Sequence, residues 1–229
     1  GYTVPPDGVI RGKQVTMDRV KNWWAKDKKF YRYSCNVDHM VFRFIAEESK
    51  VIELFRVGEL DMLLMLKPNL WHEKMEIAEV HNGLIERSTF YNIYPRYPAG
   101  LYLNTSKPPF DNKDVRLGFQ HAVNFKRTND VINRGDYQPL GPYSGGYGKF
   151  TNPHIKAREY SPAKAREHFA KAGYTRQGSD GILRKEDGTP LKIEITFSGN
   201  SANLKAMMTM IKEDSRKAGV DIQLDELDS

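Results

Sequence analysis

Six histidines, His39, His72, His81, His121, His154 and His168, have the widest chemical range in this chain, since an imidazole can ligate a metal or move a proton near neutral pH. Their spacing supports neither role. A zinc site of the His-Glu-x-x-His kind needs two imidazoles one helical turn apart, but His72-Glu73 is followed by Met75-Glu76. His121 falls next to an apolar helical stripe, where a hydrogen-bonded core or flank histidine is expected. Cys35 is the only cysteine, so the chain holds no internal disulfide and no cysteine zinc site. It reads as an inert thiol unless a base approaches it in space. No nucleophile elbow, phosphate loop or dinucleotide fingerprint occurs, and the "SGGYG" at 144–148 lacks the preceding strand and following helix that such loops need. Asp61, Asp111 and Asp114 are the carboxylates a carbohydrate- or peptide-processing enzyme would have to pair across a groove. Each is better explained as a turn or cap residue. The expectation is therefore a protein that binds: no enzyme, no cofactor, no metal.

Tyrosine is the residue type that suits binding. Tyr91, Tyr94, Tyr97 and Tyr102 surround a "YPRYPAG" turn, and Tyr137, Tyr143 and Tyr147 stand in a Gly- and Pro-rich loop at about 136–154. Such rings offer apolar area with a polar tip, although they serve equally to cover strand ends. A loop that long inside a compact domain is either functional or a linker. Its glycines make it adaptable, and Tyr143 and Tyr147 are placed to stack over a bound chain.

The elements that must hold these residues follow from periodicity. "VPPDGV" is a tight turn between strands, "VDHMVFRFIA" a buried strand, and "EESKVIELFRVGELD" a helix ended by Gly58. "LDMLLML", "LIERSTFYNI" and "AGLYLNT" are strand candidates, with "NLWHEKMEIAEVHNG" a helix before the last two. Asp111 is the expected N-cap of a helix starting near 112, stapled by Phe110 on Val115 and burying Val115, Phe119, Ala122 and Val123. Next come a Ser-Pro capped helix in "SPAKAREHFAKAG" and a hairpin through Asp187-Gly188. The helix "SANLKAMMTMIKEDSRKAG" follows, with Met207, Met208 and Met210 read as core-facing, and "VDIQLDEL" is a last strand. Strands alternating with helices give an α/β class with a mixed sheet flanked by helices.

At 229 residues, 39% hydrophobic, the chain can bury a sizeable core. Its net charge of +6 is spread through mixed-sign segments, which argues against a nucleic-acid partner. No run of eighteen apolar residues occurs, and "GYTVPPDGVI" is no signal peptide, so the chain reads as an excised piece whose signal lies upstream.

Three motifs in order carry a resemblance: Gly58-Glu59-Leu60-Asp61 at a helix end; Asn104 and then Pro109, Phe110, Asp111, Val115 and Arg116; and Pro162, Lys164, Ala165, Phe169, Ala172 and Gly173. They resemble the family 5 extracellular solute-binding proteins, the peptide-binding components of ABC importers, with "AVNFKRTNDVINRGDY" similar to the branch of YejA-like oligopeptide binders. The resemblance implies a two-lobed periplasmic-binding-protein fold, of which 1–229 would be a single lobe, the second. It implies an oligopeptide ligand captured by closure with the remaining lobe of the same protein and delivery to an ABC permease, in a periplasmic or extracellular, membrane-associated setting. The same scaffold carries other cargo: nickel chelates, sugars or peptide antibiotics. It further implies ligand-facing positions at Tyr2, at Ile132 and Asn133 after the long helix, and at Asn203 opening the last helix. Ile132 and Asn203 replace a relative's basic or imidazole groups, so the charge pattern at the ligand's far end differs.

Overall fold

The computed structural model describes residues 1–64, 67–90, 99–199 and 201–227, with the backbone alone at residue 48. These residues fall into two units, Gly1–Leu64 and Met65–Ser229. Tyr91, Tyr94 and Tyr97 lie outside the described residues.

In the first unit, the Pro-Pro-Asp-Gly turn closes with the Gly8 N–H donating to the Pro5 carbonyl at 2.9 Å. That turn lets β1 (Tyr2–Thr3) and β2 (Val9–Ile10) share one edge of β3 (Gln14–Arg19). The other edge of β3 pairs antiparallel with β4 (His39–Arg43) from Gln14↔Arg43 to Asp18↔His39. α1 (Glu48–Arg56) then stops at Gly58, whose φ of +77° only glycine adopts freely. The expected strand at "VDHMVFRFIA" is present, but it is not buried: Val41 and Phe42 are both about half exposed. Apolar composition supplies strand propensity, while burial needs a covering layer that sequence composition cannot guarantee.

In the second unit, Leu70–Lys74 forms a π-helical turn and α2 spans only Ala78–His81, so the single helix expected across 69–83 is broken. Ile77 between them is extended, at φ −126° and ψ 159°. No strand forms among the described residues 60–64, 67–69, 84–90 or 99–105, against expectation. Leu101 and Leu103 nevertheless pack on the core while Tyr102 is exposed, the alternation that made the segment read as a strand.

α3 (Lys113–Ala122) is capped by Asn112, not Asp111. Asn112 is extended and its Oδ1 accepts from the Asp114 and Val115 N–H groups at 2.8 and 3.4 Å, whereas Asp111 reaches only the N–H of Asn112. The expected staple shifts with the cap: Phe110 packs on Phe119, with ring centroids 5.4 Å apart. The helix also ends earlier than its stripe predicts. Val123 turns extended, and Asn124 caps a new helix, α4 (Phe125–Ile132), by accepting from the Arg127 N–H at 3.1 Å.

A 3-10 turn at Gly148–Phe150 interrupts the long loop, and α5 (Pro162–Lys171) follows with Ser161 as cap and Gly173 as stop. Two short strands, β5 (Arg176–Gln177) and β6 (Leu183–Arg184), pair with each other. The hairpin turn at Asp187-Gly188 leads into β7 (Lys192–Ser198), which runs parallel to β8 (Asp221–Leu227) through the crossover helix α6 (Ala202–Arg216). The strands and helices match the α/β class read from the sequence, although among the described residues the antiparallel and parallel pairings fall in separate sheets and not in one mixed sheet.

The core lies between these elements. Val115, Phe119, Ala122 and Val123 from the α3 stripe meet Ala165 and Phe169 of α5, Met208 and Ile211 of α6, and Ile193 and Ile222 of the strands. α3 and α5 cross closely at Gly118, where a Cβ would stand 2.5 Å from the Phe169 ring.

Candidate functional site

α4 is positioned by its N-terminal turn. Arg127 donates to the fully enclosed Asp214 carboxylate at 3.1 Å, and Lys217 reaches the other oxygen at 2.7 Å. Burial pushes Asp214 up, yet the hydrogen bonds and charges of Lys217 and Arg127 together outweigh it and hold the carboxyl below its ordinary value. Asp214 lies in the last turn of α6 and Arg127 in the first turn of α4, so the ion pair fastens the end of one helix to the start of the other. An eight-residue helix is about 12 Å long, so the far end of α4 lies about that distance from its N-terminal turn.

At that end sit Ile132, half-buried, and Asn133, whose N–H closes the helix on the Asn129 carbonyl at 3.0 Å. The chain then reverses through Arg134 and Gly135, at φ +53° and +80°. A left-handed arginine costs on the order of 1 kcal/mol and is held here by its contacts. Its guanidinium donates to the Val131 carbonyl at 2.7 Å and pairs with Glu73. That guanidinium, by hydrogen bond and charge, lowers the Glu73 carboxyl below its usual range. His72 Nε2 lies 3.1 Å from both Asp136 oxygens, a geometry in which the ring N–H donates. On α6, Asn203 Nδ2 donates to Asn69 Oδ1 at 3.3 Å.

The segment 69–73 thus ties the end of α4 to the start of α6. Ile132, Asn133 and Asn203, named far apart in the sequence, are brought to one region of the second unit. Sequence reasoning missed Asn69, His72, Glu73, Arg134 and Asp136. The Asn-Arg-Gly-Asp turn after α4 was the available signal, since a glycine there forces the chain back on itself.

Tyr143 and Tyr147 are exposed on the long loop. The loop is anchored to α4 by Asn129, which accepts from the Tyr137 N–H at 3.2 Å and donates to its carbonyl at 2.6 Å. It also closes on itself, with the Tyr147 N–H donating to Thr151 Oγ1 at 3.0 Å and Gly141 so near the Ile155 carbonyl that no side chain fits. Among the described residues, no hydrogen bond or ring contact joins the two phenol rings to the cluster around Asn203. Tyr2 belongs to the first unit, where its hydroxyl donates to the Val37 carbonyl at 2.9 Å. A half-open groove of about 360 Å³ in that unit, lined by residues such as Lys13, Arg43, Glu47 and Leu54, contains none of the expected ligand-facing residues.

Among the described residues, no group of three or more His, Cys, Asp or Glu side chains could hold a metal ion. His121 donates from Nδ1 to the Glu159 carbonyl at 2.8 Å and stacks on His168, whose Nδ1 lies 2.9 Å from Asp114. Both imidazoles fasten α3 to α5.

The chain is 27% identical over 210 residues to the nickel-binding periplasmic protein of Escherichia coli K12, a match covering 90% of this chain and 37% of that protein. Its fold matches a crystal structure of NikA from Brucella suis in complex with Fe(III)-EDTA, at a TM-score of 0.75 and 21% identity over 100% of this chain and 43% of that one. It also matches a periplasmic oligopeptide-binding protein of an oligopeptide ABC transporter from Thermotoga maritima, at a TM-score of 0.72 and 18% identity over 99% of this chain and 42% of that one. The chain therefore spans about two fifths of the length of the relatives it matches. The model of the middle region of the bacterial extracellular solute-binding proteins, family 5, matches residues 7–229. With nearly the whole chain matched, the protein belongs to that family, whose members bind solutes and are not enzymes.

Proposed function

We propose that the complete protein captures an oligopeptide by closure of two lobes and delivers it to an ABC permease, outside the cytoplasmic membrane. In this reading residues 1–229 supply one lobe, the second, and the rest of the protein supplies the other. The observation that carries it is the hydrogen bond between two neutral amides, Asn69 and Asn203, on a segment whose neighbouring charges, His72 and Glu73, are already paired with Asp136 and Arg134 in the turn that follows Asn133. An amide side chain both donates and accepts, which suits the alternating N–H and C=O groups of a peptide main chain. Ile132 and Asn203 add no charge that the ligand must match. The relative named as oligopeptide-binding adds support. Tyr2, Tyr143 and Tyr147 complete the proposed ligand-facing set, with the two loop tyrosines at the rim of the cleft.

A nickel chelate is the second reading, favoured by the 27% identity to the nickel-binding relative. Mass spectrometry of the ligand that co-purifies with the complete protein separates the two: peptides support the first, nickel with a small chelator the second. If peptides are found, Asn203→Ala and Asn133→Ala each weaken binding by calorimetry roughly five- to tenfold, the effect of one lost hydrogen bond. Unchanged affinity in both removes this region from the site. The isolated chain 1–229 offers one wall of a cleft that should bury about 70–90% of its ligand, so its affinity should drop from micromolar toward millimolar.

A further inference from the structure

Between Val20 and Cys35 the first unit carries five cations, Lys21, Lys26, Lys28, Lys29 and Arg32, against a single carboxylate, Asp27. The whole chain has a net charge of only +6, so this short stretch supplies most of it. Nearby cations are neutralised, as in the pairs Arg19–Asp38 and Arg43–Glu59. Among the described residues, none of the five in this stretch pairs with a carboxylate. Large rings alternate with them: Trp24 is 78% exposed, Phe30 88% and Tyr33 75%.

This stretch is held, not loose. Ala25 is fully buried, and Trp23 packs edge-on against Trp24 and Tyr31, with ring centroids 6.2 and 5.3 Å apart. Successive turns bond Lys26 N–H to the Trp23 carbonyl, Lys28 N–H to that of Ala25 and Tyr31 N–H to that of Lys28, at 3.1, 3.0 and 2.8 Å. Trp23 and Ala25 are thus the anchor, and the outer rings and ammonium groups stand in water.

We infer that this loop is a docking surface for an anionic phospholipid membrane. Exposed Trp, Phe and Tyr are costly to leave in water, and indole and phenol rings settle at the headgroup level of a bilayer. Lysine stems lie along apolar surface while their ammonium groups reach lipid phosphates. Four of the five cations are lysine. Protein interfaces deplete lysine and seat their aromatics in pockets, so the same composition fits a protein partner less well.

The test uses the complete protein with phosphatidylcholine vesicles, with and without phosphatidylglycerol, read by co-sedimentation and tryptophan fluorescence. Association should require the anionic lipid and weaken with salt. It should fall at least roughly tenfold in K26Q/K28Q/K29Q, because each cation near the surface contributes severalfold, and also fall in W24A/F30A. Circular dichroism should remain unchanged in both variants. Absence of vesicle association, equal association with neutral vesicles, or association indifferent to both variants overturns the proposal. So does salt-sensitive binding to the purified importer in detergent without any to vesicles, which would assign the loop to a protein partner.

Discussion

Two phenylalanines mark the difference between the units. Phe169 in the second unit is fully enclosed by α3, α5 and the parallel strands, whereas Phe30 in the first stands 88% exposed. The second unit buries a contiguous cluster built from helical stripes and alternating strands. In the first, Ala25 and Ile52 are the buried apolar side chains among the described residues. The first unit is the richer in apolar residues, yet a packed core forms where helices cover a sheet, and an open ribbon where no layer covers it. Stability belongs mainly to the second unit.

The strongest way to break that contrast is Phe169→Ala, which should cost about 3–5 kcal/mol in chemical denaturation of the chain, since a fully buried ring is replaced by a cavity. A loss near 1 kcal/mol would mean that α3 and α5 collapse around the gap. The same scans bear on the proposal that 1–229 is one lobe: a single cooperative transition fits it, and two separated transitions would assign the units to different bodies.

Next in size is Asp214→Asn, expected to cost about 1–3 kcal/mol, because it removes the negative charge and one of the two oxygens that accept from Arg127 and Lys217, while both cations stay partly in water. The carboxyl is lowered in the folded state, so its contribution is fully present above the unfolded value near 3.8 and is lost as pH falls through the folded value. Wild-type and variant stability should therefore converge as pH falls through that folded value, which lies below 3.8. A difference that persists there would point to packing and not charge.

Asn112→Ala should cost about 1 kcal/mol and Asp111→Ala less, which sharpens the account of how the second unit's first long helix begins. The reverse order would restore Asp111 as the cap. The smallest effect expected is that of Phe30→Ala, within about 0.5 kcal/mol by thermal melting, as for a surface side chain. A cost comparable to that of Phe169→Ala would show that the ring is covered.

Much of the local architecture was determined by sequence alone. Gly58 and Gly173 end their helices, Ser161 begins one, Asp187-Gly188 turns a hairpin, and the Val115–Phe119–Ala122–Val123 stripe faces the core. Each of these depends on neighbours within a turn or two, so the backbone's preferences are written in adjacent residues. The same locality explains the family motifs, which are helix ends and helix starts. The cap's position, Asn112 and not Asp111, lay one residue beyond that resolution, because either side chain can cap and only backbone geometry chooses. What the tertiary structure decided is the convergence around Asn203. His72 meets Asp136 across 64 residues, Glu73 meets Arg134 across 61, and Asn69 meets Asn203 across 134. It also decided that β4, read as buried, stays open. Contacts so distant along the chain leave no periodic trace in sequence, and burial depends on what covers a surface as well as on the residues that form it.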